Sequence, residues 1–160
     1  MGLATFIGGI HPFEGKELSE DKPIKYLEPL QGEVMVYPLS QHIGAPAKPL
    51  VAKGDHVLKG QIIAEAGGFI SANVLSSVSG TVKGIESKLV ANGAMVQSIL
   101  VENDGEEEAI EGFGTDRDAS KLSKEEIRQI VKDAGIVGLG GAGFPTHVKL
   151  TPKDENAIDY

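Results

Sequence analysis

Val51-Ala52-Lys53-Gly54-Asp55-His56-Val57-Leu58-Lys59-Gly60-Gln61-Ile62-Ile63-Ala64-Glu65 decides the fold. Short apolar runs are separated by glycines at 54 and 60, the pattern of brief strands joined by tight turns. The opening returns further along: Ala52-Lys53-Gly54-Asp55-His56-Val57 is echoed by Ala91-Asn92-Gly93-Ala94-Met95-Val96. Each copy reads Ala, polar, Gly, two residues, Val. Each leads to an apolar pair and an acid, Ile62-Ile63-Ala64-Glu65 and Ile99-Leu100-Val101-Glu102, and Val78-Ser79-Gly80-Thr81-Val82 lies between them. Two such halves packed face to face predict a flattened β-barrel over about Leu50 to Glu102. The alternative is chance repetition in a Gly/Val-rich sequence.

Composition bounds the rest. A chain of 160 residues is about one domain. Apolar residues make up 41% but aromatics only 5%, with no Trp, so the core must be built mostly of Val, Ile, Leu and Ala. The 21 glycines exceed what a helical protein uses and point to turns and close backbone approaches. A net charge of −8 argues against a nucleic-acid groove, and unclustered Lys and Arg against an electrostatic membrane anchor. Cysteine is absent, which excludes disulfides, thiolate metal sites and iron–sulfur clusters within this stretch and fits a cytosolic setting. No apolar run approaches the roughly 18 residues of a membrane span. Met1–Ile10 has neither a basic start nor a long apolar stretch, so no signal peptide is expected.

The flanks read differently. Residues 1–40 form an irregular lead segment, interrupted by Pro23, Pro29 and Pro38 and expected to lie across the surface of the chain after it. Within it, Val34-Met35-Val36-Tyr37 has strand composition. The barrel is bounded at 41–102. Residues 103–120, with Asn103-Asp104-Gly105-Glu106-Glu107-Glu108, read as a solvated, flexible acidic linker. A metal or partner surface is the other reading of that charge run. The final segment, 121–160, opens with the one strong helix. Ser123 and Glu126 form a capping box, Leu122 can staple to Ile127, and Ile127, Ile130, Val131 and Ala134 make one apolar stripe. Gly135 ends the helix.

Gly138-Leu139-Gly140-Gly141-Ala142-Gly143 matches G-x-G-x-x-G, but the context is wrong for a dinucleotide fold. It follows a helix plus Ile136-Val137 and runs into Phe144-Pro145. No Lys-Ser/Thr follows, so it is no Walker loop. Its bare backbone could admit a flat or anionic ligand, with Lys149 near enough to meet a phosphate; a mobile loop is the alternative. His11, His42, His56 and His147 have no metal-ligand spacing and read as surface or hydrogen-bonded residues. Ser76, Ser77 and Ser79 have no evident base partner, and no carboxylate pair stands out.

The barrel stretch resembles lipoyl/biotinyl domains, with Val78–Val82 as the return strand. Those domains present a modified lysine at the tip of the hairpin between these segments. Here the tip is Ala66-Gly67-Gly68-Phe69-Ile70-Ser71-Ala72-Asn73, with no lysine, while Lys53 and Lys59 flank an earlier turn and read as solvated charges. The architecture is retained and the carrier function is not.

Taken in order, Thr5–Pro12, Pro38-Leu39-Ser40-Gln41-His42-Ile43-Gly44-Ala45-Pro46-Ala47, the lysine-less barrel and Gly135–Leu150 resemble the start of the C subunit of the bacterial Rnf ion-translocating electron-transport complex. The resemblance spans essentially the whole chain. Gly138–Leu150 is also similar to the glycine-rich flavin loop of the complex I flavoprotein subunit. The resemblance implies a mainly β, barrel-sandwich hybrid fold with one C-terminal helix leading into an incomplete FMN-binding domain. It implies a full-length NADH-oxidising subunit that carries FMN and two [4Fe-4S] clusters. That subunit would exchange electrons with ferredoxin through membrane-embedded partners, coupled to ion transport. By position, Gly138, Gly140, Gly141, Ala142, Gly143 and Lys149 would belong to the FMN site. The remaining flavin domain and the cluster cysteines are expected beyond residue 160. The chain is then a non-catalytic scaffold or docking piece, peripheral on the cytoplasmic membrane face through partner subunits and without direct membrane insertion. It would bind no FMN tightly alone, and its tail from about Gly135 would be poorly ordered. A free-standing binding protein built on an unmodified barrel is the alternative, and a modified carrier a third reading.

Overall fold

The computed structural model describes residues 15–26 and 28–154. The Thr5–Pro12 motif and His11 lie outside them. In chain order the strands are β1 (Val34–Pro38), β2 (Lys48–Pro49), β3 (His56–Val57), β4 (Ile62–Glu65), β5 (Val74–Leu75), β6 (Gly80–Leu89), β7 (Met95–Asn103), β8 (Val137–Gly138) and β9 (Phe144–Pro145). The helices are α1 (Lys124–Asp133) and α2 (Thr146–Lys149). Short 3-10 turns sit at Lys16–Leu18 and Ala119–Lys121.

Two antiparallel sheets, ordered β1-β7-β6-β3 and β2-β4-β5, enclose the core of the barrel. The two apolar runs of the repeat end in opposite sheets, Ile63 on β4 and Ile99 on β7. Both are fully buried in one cluster with Val57, Val78, Val82 and Val101. The core is therefore aliphatic, as an aromatic-poor chain requires. Its one ring is Tyr37, whose hydroxyl accepts from the Ser77 N–H (3.0 Å). The halves are unequal, however. The first copy turns at Leu58–Gln61 and changes sheet, whereas the second feeds one continuous nine-residue strand, Met95–Asn103. Ser76, Ser77 and Ser79 all serve turn and strand bonds; Ser76 Oγ, for example, donates to the Val78 carbonyl (2.7 Å).

The barrel begins earlier than the sequence boundary at 41. β1 pairs with β7 from Val34↔Glu102 to Pro38↔Ser98, so part of the irregular lead segment is a strand of the sheet. Pro38 is tolerated because β1 is an edge strand, where a missing N–H interrupts no ladder. Asn103, almost fully buried, fastens the chain ahead of it: its Nδ2 donates to the carbonyls of Pro29 (3.2 Å) and Leu30 (3.1 Å).

The acidic stretch also departs from expectation. Residues 105–120 are exposed, yet the first part is pinned to the barrel instead of hanging free. Lys59 N–H donates to Glu108 O (2.8 Å), Ile110 N–H to Lys59 O (3.0 Å) and Glu108 N–H to Ser79 Oγ (3.1 Å). Asp104 holds the corner, accepting from Ser79 Oγ (2.6 Å) and lying 2.9 Å from His56 Nε2. Its hydrogen bond from Ser79, then that from the Glu106 N–H, hold its carboxyl down at about 2, with His56 adding to the effect.

α1 carries the predicted capping box, with Ser123 Oγ accepting from Glu126 N–H and the Glu126 carboxylate accepting from Ser123 N–H. It ends as the sequence indicates. Gly135 N–H donates to Lys132 O (3.0 Å) and Ile136 N–H to Val131 O (3.3 Å), the double bond of a Schellman motif, with Gly135 at φ 63°. Its stripe, however, has no buried member, and Ile127 remains 37% exposed. Residues 135–154 follow a defined course instead of a disordered tail: β8 and β9 form a hairpin, and α2 adds a second, single-turn helix. Pro145 stands at the N-cap of that turn, so the dipeptide expected to block a helix precedes one.

Candidate functional site

Three segments distant in sequence meet at one end of the barrel: the 39–47 loop, the 66–73 tip and the 138–143 glycine loop. The first is closed on itself, Ala47 N–H donating to Leu39 O (2.8 Å). Against it lies the tip, where Ala45 N–H donates to Ile70 O (3.0 Å) and Ser71 Oγ donates to Ala45 O (2.8 Å). Ser71 and Ala72 are buried, while Gly68, Phe69 and Ile70 are exposed, Phe69 being the more exposed of the two large side chains at 73%. The turn that bears the lysine in a carrier is thus occupied by packing as well as lacking an amine.

The glycine loop closes the β8–β9 hairpin, which is not the strand-to-helix geometry of a dinucleotide fold. Its two rims differ. The inner rim is fixed: Ile43 N–H donates to Ala142 O (3.1 Å), and a Cβ on Gly143 would lie 2.9 Å from Gln41 O and 3.0 Å from His42 Cα. Gly143 also has φ +67°, a conformation that favours glycine, so close approach to the 41–42 backbone accounts for it. The outer rim is open. Nothing lies within 4 Å of a Cβ built on Gly140 or Gly141, and the neighbouring Leu139 is 91% exposed. At the base, a Cβ on Gly138 would run into the Lys149 Nζ, which lies 5.9 Å from the Phe144 ring centroid. The six residues singled out by sequence therefore do come together, but in two roles. Gly140 and Gly141 offer bare backbone, with the Lys149 ammonium at the loop's base against Gly138, while Ala142 and Gly143 hold the loop to the barrel.

Two participants escape the sequence reading. His42, there only one of four scattered histidines, is buried at this junction. Ser71 is fully buried beside it. The single signal for His42 is its place within the Pro38–Ala47 segment. His147 on α2 reaches the tip. Burial, with the Lys132 charge, pushes its imidazole below the ordinary value, against a hydrogen bond to the Phe69 backbone that acts the other way. Among the described residues, no group of three or more His, Cys, Asp or Glu is placed to hold a metal ion. No helix among them is long and apolar enough to cross a membrane.

Residues 4–106 match the family described as the RnfC barrel sandwich hybrid domain. The chain belongs to that family. The RnfC match starts well before Val34, in keeping with the inclusion of β1 in the sheet. Residues 131–160 match a second family, the Nuo51 FMN-binding domain, and this stretch takes in the end of α1, the glycine loop and α2. The C subunit of the proton-translocating ferredoxin:NAD(+) oxidoreductase complex of Clostridium ljungdahlii is 44% identical over 157 residues, covering 98% of this chain and 34% of that protein. The C subunit of the Na(+)-translocating ferredoxin:NAD(+) oxidoreductase complex of Acetobacterium woodii is 42% identical over 158 residues, 97% of this chain and 34% of that protein. The C subunit of the ion-translocating oxidoreductase complex of Haemophilus influenzae is 38% identical over 155 residues, 96% of this chain and 23% of that protein. The chain spans about a third or less of the length of these relatives. The resemblance read from the Pro38–Ala47 segment, the barrel and the glycine loop is borne out, as is the mainly β barrel-sandwich hybrid fold.

Proposed function

We propose that this chain is the N-terminal portion of the C subunit of an Rnf-type ion-translocating electron-transport complex, in which the barrel is a non-catalytic scaffold and docking module. The Gly138–Lys149 segment then forms one margin of an FMN site. The observation that carries the reading is the division of the glycine loop. Its inner rim is bonded to the barrel, its outer rim presents side-chain-free backbone, and the Lys149 ammonium stands at its base against Gly138. FMN has a flat ring system that needs close backbone approach and a phosphate that needs N–H donors and positive charge, so the residues present fit it. When bound, FMN accepts hydride and releases electrons singly. This chain's own part is to bind and orient. Gly140 and Gly141 leave room for the ring or phosphate, Lys149 offsets phosphate charge, and Ala142 and Gly143 fix the loop's height above the barrel. The two [4Fe-4S] clusters would be held outside these 160 residues, since the chain has no cysteine. NADH is the expected reductant of the full-length subunit. The other Rnf subunits are its expected partners and its link to the cytoplasmic membrane face. The alternative of a barrel that itself binds a ligand gains nothing from an interior filled by fully buried Val57, Ile63, Val78, Ile99 and Val101.

Replacing Gly141 by Val in the full-length subunit should lower retained FMN by about tenfold or more, because a branched side chain would occupy the open rim. Flavin absorbance after gel filtration reads the result, and an unchanged stoichiometry would overturn the assignment. Titrating these 160 residues with FMN should show no tight, stoichiometric quenching of flavin fluorescence. Tight binding would contradict the claim that they form one margin only.

A further inference from the structure

The junction of tip, 39–47 loop and glycine loop is organised around one side chain. His42 Nε2 lies 3.1 Å from the Ala72 N, 3.1 Å from Ser71 Oγ and 3.1 Å from Ala45 O. The Ala72 N–H donates to Nε2, and Ser71 Oγ donates to Ala45 O (2.8 Å) and accepts the Gly67 N–H (2.9 Å), so ring and hydroxyl share one hydrogen-bonded cluster with the tip. Among the described residues no buried side-chain N or O atom lacks a hydrogen-bond partner.

The backbone of the same residue faces the other way. Its Cα would be 3.0 Å from a Cβ on Gly143, and the next residue, Ile43, donates to Ala142 O. One residue thus bonds the barrel tip through its ring and seats the inner rim of the glycine loop through its backbone. We propose that His42 is a positioning residue that sets the glycine loop against the barrel, so that the lysine-less tip has become the loop's mounting point. For the consequence on flavin, the proposal rests on the function proposed above. Its structural part does not.

The test has a flavin-free arm and a flavin arm. In the His42→Leu variant of the 160-residue chain, the Ala72 and Ile43 amides should exchange about tenfold faster or more, with Val57 and Val101 in the barrel unchanged. His42→Gln, which can place a carbonyl acceptor near the Nε2 position, should restore most of the protection at Ala72. Unchanged exchange at Ala72 and Ile43, or a uniform rise that includes Val57 and Val101, would each overturn the proposal. In the full-length subunit, His42→Leu should weaken FMN retention and His42→Gln recover it. Faster exchange at Ala72 and Ile43 with FMN retention unchanged would support the positioning role and sink the flavin reading instead.

Discussion

The barrel and the α1–α2 unit are built from similar aliphatic residues, yet they reach burial by different routes. In the barrel, Val57, Ile63, Val78, Ile99 and Val101 have zero exposure. In α1, an equally regular stripe has no buried member, and its ends are held by local devices, the Ser123–Glu126 box and the Gly135 cap. Solvent-open clefts of about 310 Å³ and about 470 Å³ lie along the seam between the two regions, the first between Tyr37, His42 and the Ala134–Gly135 turn, the second between Gly67, Gly68 and Lys132. Gly135 itself packs closely on the Asn73 carbonyl. The barrel stands on its own core, while the helical unit meets it at Ala142 to Ile43, at Gly135 against the Asn73 carbonyl, and at Asn73 Nδ2 to Lys132 O (3.4 Å).

The contrast can be broken most forcefully from the barrel side. Ile99→Ala should cost about 2–5 kcal/mol of unfolding free energy, whereas Ile130→Ala on the helix stripe should cost under about 1 kcal/mol. Urea melts followed by far-ultraviolet circular dichroism measure both, and equal costs would erase the distinction. A smaller effect, at the helix and its contact with the tip, is expected from Gly135→Ala. A Cβ there meets the Asn73 carbonyl and the backbone keeps φ +63°, so about 1–2 kcal/mol should be lost locally. Amide exchange at Ile130 and Val131 should rise while that at Val101 does not.

The smallest effect concerns the acidic stretch. Asp104 titrates at about 2 when folded, below the ordinary aspartate value of 3.8. Between those values the unfolded chain takes up a proton that the folded chain refuses. Its contribution is therefore complete above pH ~4 and is lost as pH falls through about 2. Exchange at Glu106 and Glu108 should rise through that window in the native chain. In Asp104→Asn the two amides should already exchange faster at neutral pH and show no such step.

The features legible in the sequence are local ones. The short strands about Gly54 and Gly60, the capping box, the terminating Gly135 and the missing tip lysine all follow from residues within one turn or strand of each other. The features that are not legible depend on pairing across the chain. Val34–Tyr37 has the composition of a strand, but its partner Glu102 is far along the sequence, so composition alone leaves it in an irregular lead segment. The acidic stretch has the composition of a linker, and only the positions of Ser79, His56 and Lys59 in the folded barrel turn it into a fastened strap. The glycine loop is conspicuous through its composition. Its division into a fixed and an open rim depends on Gln41–Ile43, which no local pattern connects to it.

A structure of the full-length subunit with FMN bound should show FMN in contact with the backbone of Gly140 and Gly141 and with Lys149 Nζ, while Ala142 O keeps its bond to the Ile43 N–H. FMN bound away from this loop, or a loop detached from Gln41–Ile43, would contradict the proposed FMN site.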